Sequence, residues 1–220
     1  GGTGSMSEVK VKENETITIA ENAFTRSMFQ FTGWNTKANG SGTPYANKAT
    51  IKVTENVTLY AQWKDMTNGH EYVDLGLSVM WATTNIGAAR PESYGNYYAW
   101  GETATKSEYR QDNYYIWPGS DLYSSYDAAH VNWGGNWRMP TKAEFEELRD
   151  RCSWDYMKIS GIPGFNVTGT NGNSIFLPYA GNKEYDHSNK VGEAGYYWSM
   201  SSKSVDFIDY TYCLYIDVGT

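Results

Sequence analysis

The chain has 220 residues, a formal net charge of −7 and no run of Lys and Arg, so its composition argues against a surface that binds nucleic acid or anionic membranes. No apolar stretch approaches the roughly 20 residues of a membrane-spanning helix, and no signal peptide is recognisable. Aromatic residues make up 16% of the chain, and because Tyr and Trp join an apolar face to a polar tip, they suit both cores and recognition surfaces. A chain of this length accommodates two modest domains, each with its own core.

The first part of the chain has the alternation that is typical of half-buried β-strands. Apolar residues recur at every second position in five segments, at 9–11, 17–19, 29–31, 51–53 and 57–63. Residues 39–44 are rich in Gly and Ser and end on Pro44, which indicates a turn. These patterns predict a small sheet domain over residues 1–64.

Residues 1–6, 31–36, 40–43 and 58–63 resemble the Listeria–Bacteroides repeat, also called the internalin B-repeat. In that family the repeat is a small β-grasp-like module of bacterial surface proteins and serves as a spacer or an adhesion element. The resemblance implies an extracellular or cell-surface location in a bacterium. The family's repeat opens with a strand ahead of the glycine run, so we expect that strand to be missing here and a sheet edge to be exposed.

Residues 65–69 have no periodicity and predict a short linker to a second domain at 70–220. Residues 72–82 predict a hairpin, and 85–88 and 97–102 predict further strand-like pieces. Residues 106–129 are mostly polar but contain several aromatic residues, which indicates an ordered functional loop rather than a disordered one.

One helix is predicted, from Lys142 to about Cys152. Thr141 and Glu144 have the spacing of a capping box, and Phe145, Leu148 and Cys152 fall on one helical stripe. After the helix, residues 165–168 and 174–178 flank a Gly- and Asn-rich turn and predict a second hairpin. Residues 196–199 and 212–216 predict two last strands joined by a polar loop.

The second domain resembles the Fibrobacter succinogenes major paralogous domain in its Bacteroidales form, at residues 72–77, 81–83, 100–103, 133–141, 172–178 and 197–199. Residues 137–145 are also similar to a run in the formylglycine-generating enzymes. These resemblances imply a C-type-lectin-like fold. The expected fold class is therefore α+β, with a small β-grasp-like repeat followed by a C-type-lectin-like domain of short antiparallel sheets and one main helix. The family continues into a closing strand, which we expect to be missing here.

No catalytic motif is present, and we expect the protein not to be an enzyme. The sequence lacks metal-binding cysteine spacing, a nucleophile elbow and a phosphate-binding loop, and its three histidines are scattered, as His70, His130 and His187. The formylglycine-generating enzymes use two cysteines set close together. Cys152 and Cys213 do not match that pattern; they could pair in an oxidising compartment, but separate buried thiols are expected.

No cofactor is expected, although calcium remains an alternative. Four aspartates in predicted loops could supply oxygen ligands: Asp121, Asp127, Asp186 and Asp206. They lack the periodic spacing of a dedicated calcium loop, and the Glu-Pro-Asn type of triplet found in sugar-binding C-type lectins is missing.

Two loop groups are candidates for ligand binding, because binding residues concentrate on loops held by a rigid scaffold. The first offers rings for the apolar face of a sugar, with polar partners: Asp112, Asn113, Tyr114, Tyr115, Trp117 and Tyr123. The second follows Trp198 and corresponds to the variable segment of related lectin-like proteins: Met200, Lys203, Phe207, Asp209, Tyr210 and Tyr212. The alternative for both groups is that these rings only pack the loops onto the domain.

The favoured hypothesis is a non-enzymatic cell-surface or secreted binding protein, with a lectin-like head on a repeat stalk and a glycan or surface protein as its partner. A structural envelope component and a retroelement-diversified ligand-binding protein are alternatives, and an enzyme of the formylglycine-generating type is a third class. No nucleic acid and no membrane insertion are expected, and the sequence does not indicate an oligomeric state.

Overall fold

The chain forms two compact units, Gly1–Met66 and Thr67–Thr220. The structure, a computed structural model, describes residues 2–116, 121–205, 208–217 and 219, except for the side chains of residues 205, 208 and 209. Strands account for 37% of the chain and helices for 11%. The protein is therefore mostly β.

The first unit contains two small antiparallel sheets. Strand β1 (Glu15–Thr18) pairs with β4 (Thr50–Val53), and β2 (Phe29–Asn35) lies between β3 (Pro44–Tyr45) and β5 (Tyr60–Asp65). The predicted strands around residues 17, 29, 51 and 60 are confirmed. The alternation at Val9 and Val11 does not form a strand, and the Val9 side chain is 61% exposed. That prediction was wrong because the segment has no pairing partner to bury its apolar face.

Trp34 is the centre of the core of the first unit. It is 4% exposed and packs with Ile19 and Ile51, and the rings of Phe24 and Phe31 meet it edge-on. Gly4 explains part of the glycine run that begins the repeat. Its φ is +109°, and a Cβ there would lie 2.4 Å from the Ala23 carbonyl oxygen, so only glycine fits.

The described residues of the second unit form one three-stranded sheet and three hairpins, all antiparallel. In the three-stranded sheet, β9 lies between β8 and β10. The bounds are β6 Tyr72–Val73 with β7 Trp81–Ala82, β8 Ser153–Ile159, β9 Ile162–Thr168, β10 Ser174–Pro178, β11 Asn182–Glu184 with β12 His187–Asn189, and β13 Ala194–Val205 with β14 Ile208–Asp217. The hairpins predicted at 72–82 and 165–178 are confirmed.

Two short helices pack with these sheets, α1 (Ala128–Trp133) and α2 (Lys142–Arg151). The capping box of α2 is confirmed: the Thr141 hydroxyl accepts the Glu144 N–H at 3.2 Å, and the Glu144 carboxylate accepts the Thr141 N–H at 2.7 Å. Phe145 and Leu148 place the buried face of α2 in the main core, with Leu75, Trp81, Tyr179 and Ile216 among their neighbours.

The predicted α+β class, with a C-type-lectin-like second domain and one main helix, was wrong. The helix α2 has only 10 residues, and the hairpin of β13 and β14, with 12 and 10 residues, is the largest element of the second unit. The segment between residues 199 and 212, predicted as a loop, is mostly strand. Cross-strand pairing is a tertiary effect, so local polarity did not reveal it.

Residues 67–69, predicted as a linker, are held by the second unit. The Thr67 carbonyl accepts the Trp137 indole N–H at 2.7 Å, and the Asn68 side chain donates to the Trp133 carbonyl at 2.7 Å. The His70 ring stacks on Trp133 with 4.3 Å between centroids. The tryptophan- and glycine-rich turn at 133–137 therefore fixes the entry of the chain into this unit.

We expect Leu148→Ala to destabilise the second unit by about 2–5 kcal/mol, because the side chain is fully buried and its removal leaves a cavity. Urea denaturation followed by circular dichroism measures this loss. Arg149→Ala, on the exposed face of the same helix, is the matched control and should leave the transition unchanged. Equal effects of the two substitutions would contradict the packing described for α2.

We expect Asp127→Asn to cost about 1–3 kcal/mol in the same measurement, because one accepting oxygen becomes a donor that faces an N–H. Asp127 is 1% exposed; its Oδ1 accepts the His130 N–H at 3.0 Å, and its Oδ2 accepts the Met139 N–H at 2.8 Å. Asp150→Asn, at an exposed position of α2, should have no such effect. An Asp127→Asn protein as stable as the parent would show that these two bonds do not hold α1 in place.

Candidate functional site

Exposed tyrosines surround one concavity of the second unit, here called the tyrosine concavity. It encloses about 200 Å³. Tyr115 is 84% exposed, Tyr123 70% and Tyr126 45%, whereas Trp100 and Leu122 are buried at its base. Among the described residues it is lined by Trp100, Tyr115, Ile116, Asp121, Leu122, Tyr123 and Tyr126.

An irregularity in β13 fixes the base of the tyrosine concavity. The pairing register with β14 shifts between Trp198 and Ser202, which leaves the backbone of residues 199–201 available to other segments. The Ser199 carbonyl accepts the Trp100 indole N–H at 2.8 Å, and the Met200 carbonyl accepts the Leu122 N–H at 2.9 Å. The floor of the concavity is therefore hydrogen-bonded to a strand.

The same irregularity connects the concavity to the start of α2. The Met200 N–H donates to the Pro140 carbonyl at 2.8 Å, and the Ser201 hydroxyl accepts the Lys142 N–H at 3.2 Å. The Asp121 carboxylate accepts the Ser202 N–H at 2.8 Å. The wall that contains Asp121 is thus tied to the same strand as the floor.

A small second core supports the concavity from below. It consists of Trp100, Leu122, Ala128, Ala129 and Met139, with Ile116 and Met200 packed against it. Tyr126 ends a single 3₁₀ turn, Ser124–Tyr126, immediately before Asp127 caps α1. The exposed rings therefore stand on a packed base.

Three residues of the first predicted group lie outside the lining of the concavity. The Asn113 side chain is used within its own segment: its Oδ1 accepts the Arg110 N–H and the Lys106 ammonium, both at 3.1 Å, and its Nδ2 donates to the Glu108 carbonyl at 3.0 Å. Asp112 is exposed and pairs with Arg110 at 3.1 Å. Asn113 thus holds the loop together.

Tyr114 also has a structural role. Its hydroxyl donates to the Trp100 carbonyl at 2.9 Å, and burial, together with the nearby Glu102 carboxylate, raises the pKa of this phenol. The structure thus brings only Tyr115 and Tyr123 of the first group to the concavity. Trp117 lies outside the described residues.

The second predicted group lies mainly on the β13–β14 hairpin. Lys203 is directly opposite Tyr210, which is 51% exposed, and the Lys142 ammonium lies 5.3 Å from the centre of the half-buried Tyr212 ring. None of these residues lines the tyrosine concavity, whereas Met200 packs beneath it. Phe207 lies outside the described residues, as does the side chain of Asp209.

In the part of the chain that the structure describes, no three His, Cys, Asp or Glu side chains come close enough to hold a metal ion together. Asp127 caps α1, Asp186 pairs with His187, and Asp206 is not among the described residues.

Both cysteines are unbonded, and burial raises the pKa of the Cys152 thiol. In the described segments no helix combines the length and apolarity that crossing a bilayer requires.

Sequence reasoning missed most of the concavity. Trp100 belonged to a predicted strand-like piece but lies in a loop, and Asp121 was considered only as a calcium ligand. Tyr126 ends the first candidate loop group, Tyr109 to Tyr126, but was not among the rings assigned to a ligand. The available signal was the polar–apolar–aromatic order of Asp121, Leu122 and Tyr123, which is too short to indicate a site by itself.

The similarity of this chain to known proteins lies in the first unit. Residues 1–62 match the Listeria–Bacteroides repeat domain family. A protein of Evansella cellulosilytica, provisionally named a Gly-rich membrane protein, is 38% identical over 64 residues, and this match spans 29% of the chain but only 7% of that protein. No solved structure matches the chain. The family match covers residues 1–62, and no family match supports the resemblance of residues 70–220 to the Fibrobacter domain.

Proposed function

We propose that this chain is a non-enzymatic binding protein of a bacterial cell surface, in which the repeat acts as a stalk and the second unit holds a glycan or a surface protein at the tyrosine concavity. The observation that carries this proposal is the set of exposed rings on a hydrogen-bonded base. Loops positioned by a rigid scaffold are where binding residues concentrate.

A surface location is supported by the first unit. The Listeria–Bacteroides repeat and the relative named as a membrane protein both indicate a surface-associated protein. The matched segment is a small part of that relative. A membrane or surface location for this chain is therefore proposed and not taken over from the relative's name.

The chemistry of the concavity supports recognition of a partly apolar ligand. Tyrosine rings present flat apolar faces with hydroxyls at their edges, which suits a sugar ring or an exposed side chain of a protein. The side chains of Tyr115 and Tyr123 are 84% and 70% exposed, so little of either ring is used to pack the loop onto the domain. Large apolar groups left accessible in one place commonly mark an interaction site.

The resemblance of residues 70–220 to the Fibrobacter domain is part of the proposal. In the run at 137–141, the Trp137 indole N–H donates to the Thr67 carbonyl, and Arg138 pairs with Glu144. These two residues stabilise the unit and do not line the concavity. Trp100, from the run at 100–103, lies at the base of the concavity, so the resembling residues support the loop that carries the exposed rings.

We expect Tyr115→Ala and Tyr123→Ala each to weaken ligand binding by about tenfold or more, since truncating an aromatic anchor in an interface commonly costs more than 1 kcal/mol. A glycan array and a panel of surface proteins probed with the purified chain identify the ligand, and titration calorimetry measures the loss. Tyr60→Ala, at an exposed tyrosine of the first unit, is the control.

Tyr210→Ala tests the β13–β14 face in the same assays. Loss of binding through Tyr210 alone would move the site to that hairpin. If no glycan and no surface protein binds, the binding role is refuted and the architectural alternative takes its place. Binding that is indifferent to all three tyrosines would refute the tyrosine concavity as the site.

A further inference from the structure

We propose that the group held in the tyrosine concavity is an alkylated ammonium, such as a trimethylammonium. This inference rests on the proposed function, because it names the chemistry of the ligand for that same site. It follows from the kinds of side chain that line the concavity, from its size and from its charge.

Among the described residues, four aromatic rings line the concavity: Trp100, Tyr115, Tyr123 and Tyr126. The face of an aromatic ring carries negative electrostatic potential and attracts a cation within about 6 Å of its centre. Where several ring faces border one small space, their attractions for a cation add. Ile116 and Leu122 complete the apolar lining and suit the methyl groups of an alkylated cation better than the strongly hydrated surface of a small inorganic ion.

The one charged side chain among the described lining residues is Asp121. The bond from the Ser202 N–H to its carboxylate fixes this negative charge at the wall, and no Lys, Arg or His of the described residues lines the space. A cation entering the concavity is therefore attracted by both the rings and the carboxylate. The chain's net charge of −7 acts in the same direction at long range.

The hydrogen-bonding capacity of the lining distinguishes an alkylated ammonium from a primary one. A primary ammonium carries three donors that each need an acceptor. Asp121 is the only carboxylate in the described lining and already accepts a backbone N–H, and the other side chains there are aromatic rings, three of them with a hydroxyl, and alkyl groups. A quaternary ammonium has no donors, so its transfer from water to this site leaves none unsatisfied.

The size of the concavity limits what it accepts. Its volume of about 200 Å³ is below the roughly 300–1,000 Å³ of pockets that enclose drug-sized ligands. It therefore accommodates one chemical group of a larger molecule. The rest of that molecule remains outside, as expected for a surface protein that holds a headgroup or a side chain.

Three small probes of similar shape test the inference on the full chain. Choline has the charge and the methyl groups, 3,3-dimethyl-1-butanol has the same shape without the charge, and ethanolamine has the charge without the methyl groups. We expect choline to bind about tenfold more tightly than either of the others, as judged by NMR shift titration, because the ring faces attract its charge and the apolar side chains contact its methyl groups, and each of the other probes lacks one of these features.

Substitutions locate the binding. Tyr123→Leu should remove most choline affinity, while Tyr123→Phe, which keeps the ring, should retain it. Asp121→Asn keeps an oxygen to accept the Ser202 N–H and removes the charge, so binding should weaken about two- to fivefold. Tyr60→Leu makes the same change at an exposed tyrosine of the first unit and should have no effect.

Two further probes separate the sources of such a group. Phosphocholine represents a lipid or glycan headgroup, and an N-acetylated trimethyllysine amide represents a modified protein. Preference for one of them identifies the source, and equal binding means that the ammonium alone is recognised.

The inference is overturned if the neutral alcohol binds as well as choline, if choline does not bind, or if Tyr123→Leu binds choline like the parent. If Tyr123→Leu does not fold, the same criterion applies to Tyr115→Leu. A glycan or protein that binds through Tyr115 and Tyr123 while choline does not would refute the ammonium and leave the proposed function standing. If no ligand depends on these tyrosines, both fail.

Discussion

The irregularity at residues 199–201 of β13 is the constraint on which the candidate site depends. A buried backbone N–H or C=O must find a hydrogen-bonding partner, and in a regular hairpin β14 would supply it. Here the register shift redirects these groups to other segments, so that Ser199 and Met200 bond to Trp100, Leu122 and Pro140. One local departure from regular pairing thus joins a long loop, an indole and the start of a helix to the largest hairpin of the unit. Without this irregularity, the Met200 carbonyl would pair with β14, and the Leu122 N–H of the long loop would lose its bond to β13.

This arrangement separates the parts of the second unit that hold it together from the part that can meet a ligand. Indole and guanidinium groups of the turn at 133–138 bond internally, as Trp137 does with Thr67. The hydroxyls and rings at the rim of the concavity are left accessible because the small core beneath them is already filled by Trp100 and Leu122. A rigid base reduces the entropy lost when a ligand orders the rim, so even a small site can contribute useful affinity.

The features that sequence analysis predicted correctly are those whose causes are local. The helix α2 was recognisable because Thr141 and Glu144 satisfy each other's backbone groups within one turn, and the β9–β10 hairpin because its turn residues lie together in the chain. The short helix α1 was missed although its cap, Asp127, is local, because its six residues are too few to show a helical periodicity. The predicted fold class was wrong because the length of strands β13 and β14 depends on their pairing with each other, which local sequence does not reveal. The concavity joins Trp100 to Tyr126 across 26 positions, and no periodicity connects them.

Neither unit contains a covalent cross-link, because both cysteines are unbonded. The stability of the fold therefore owes nothing to a disulfide bond and derives from packing, hydrogen bonds and ion pairs. The Cys152 thiol packs against the main core, and its raised pKa keeps the reactive thiolate scarce at neutral pH. Formation of this fold involves no oxidation of thiols, so a reducing agent should leave it folded.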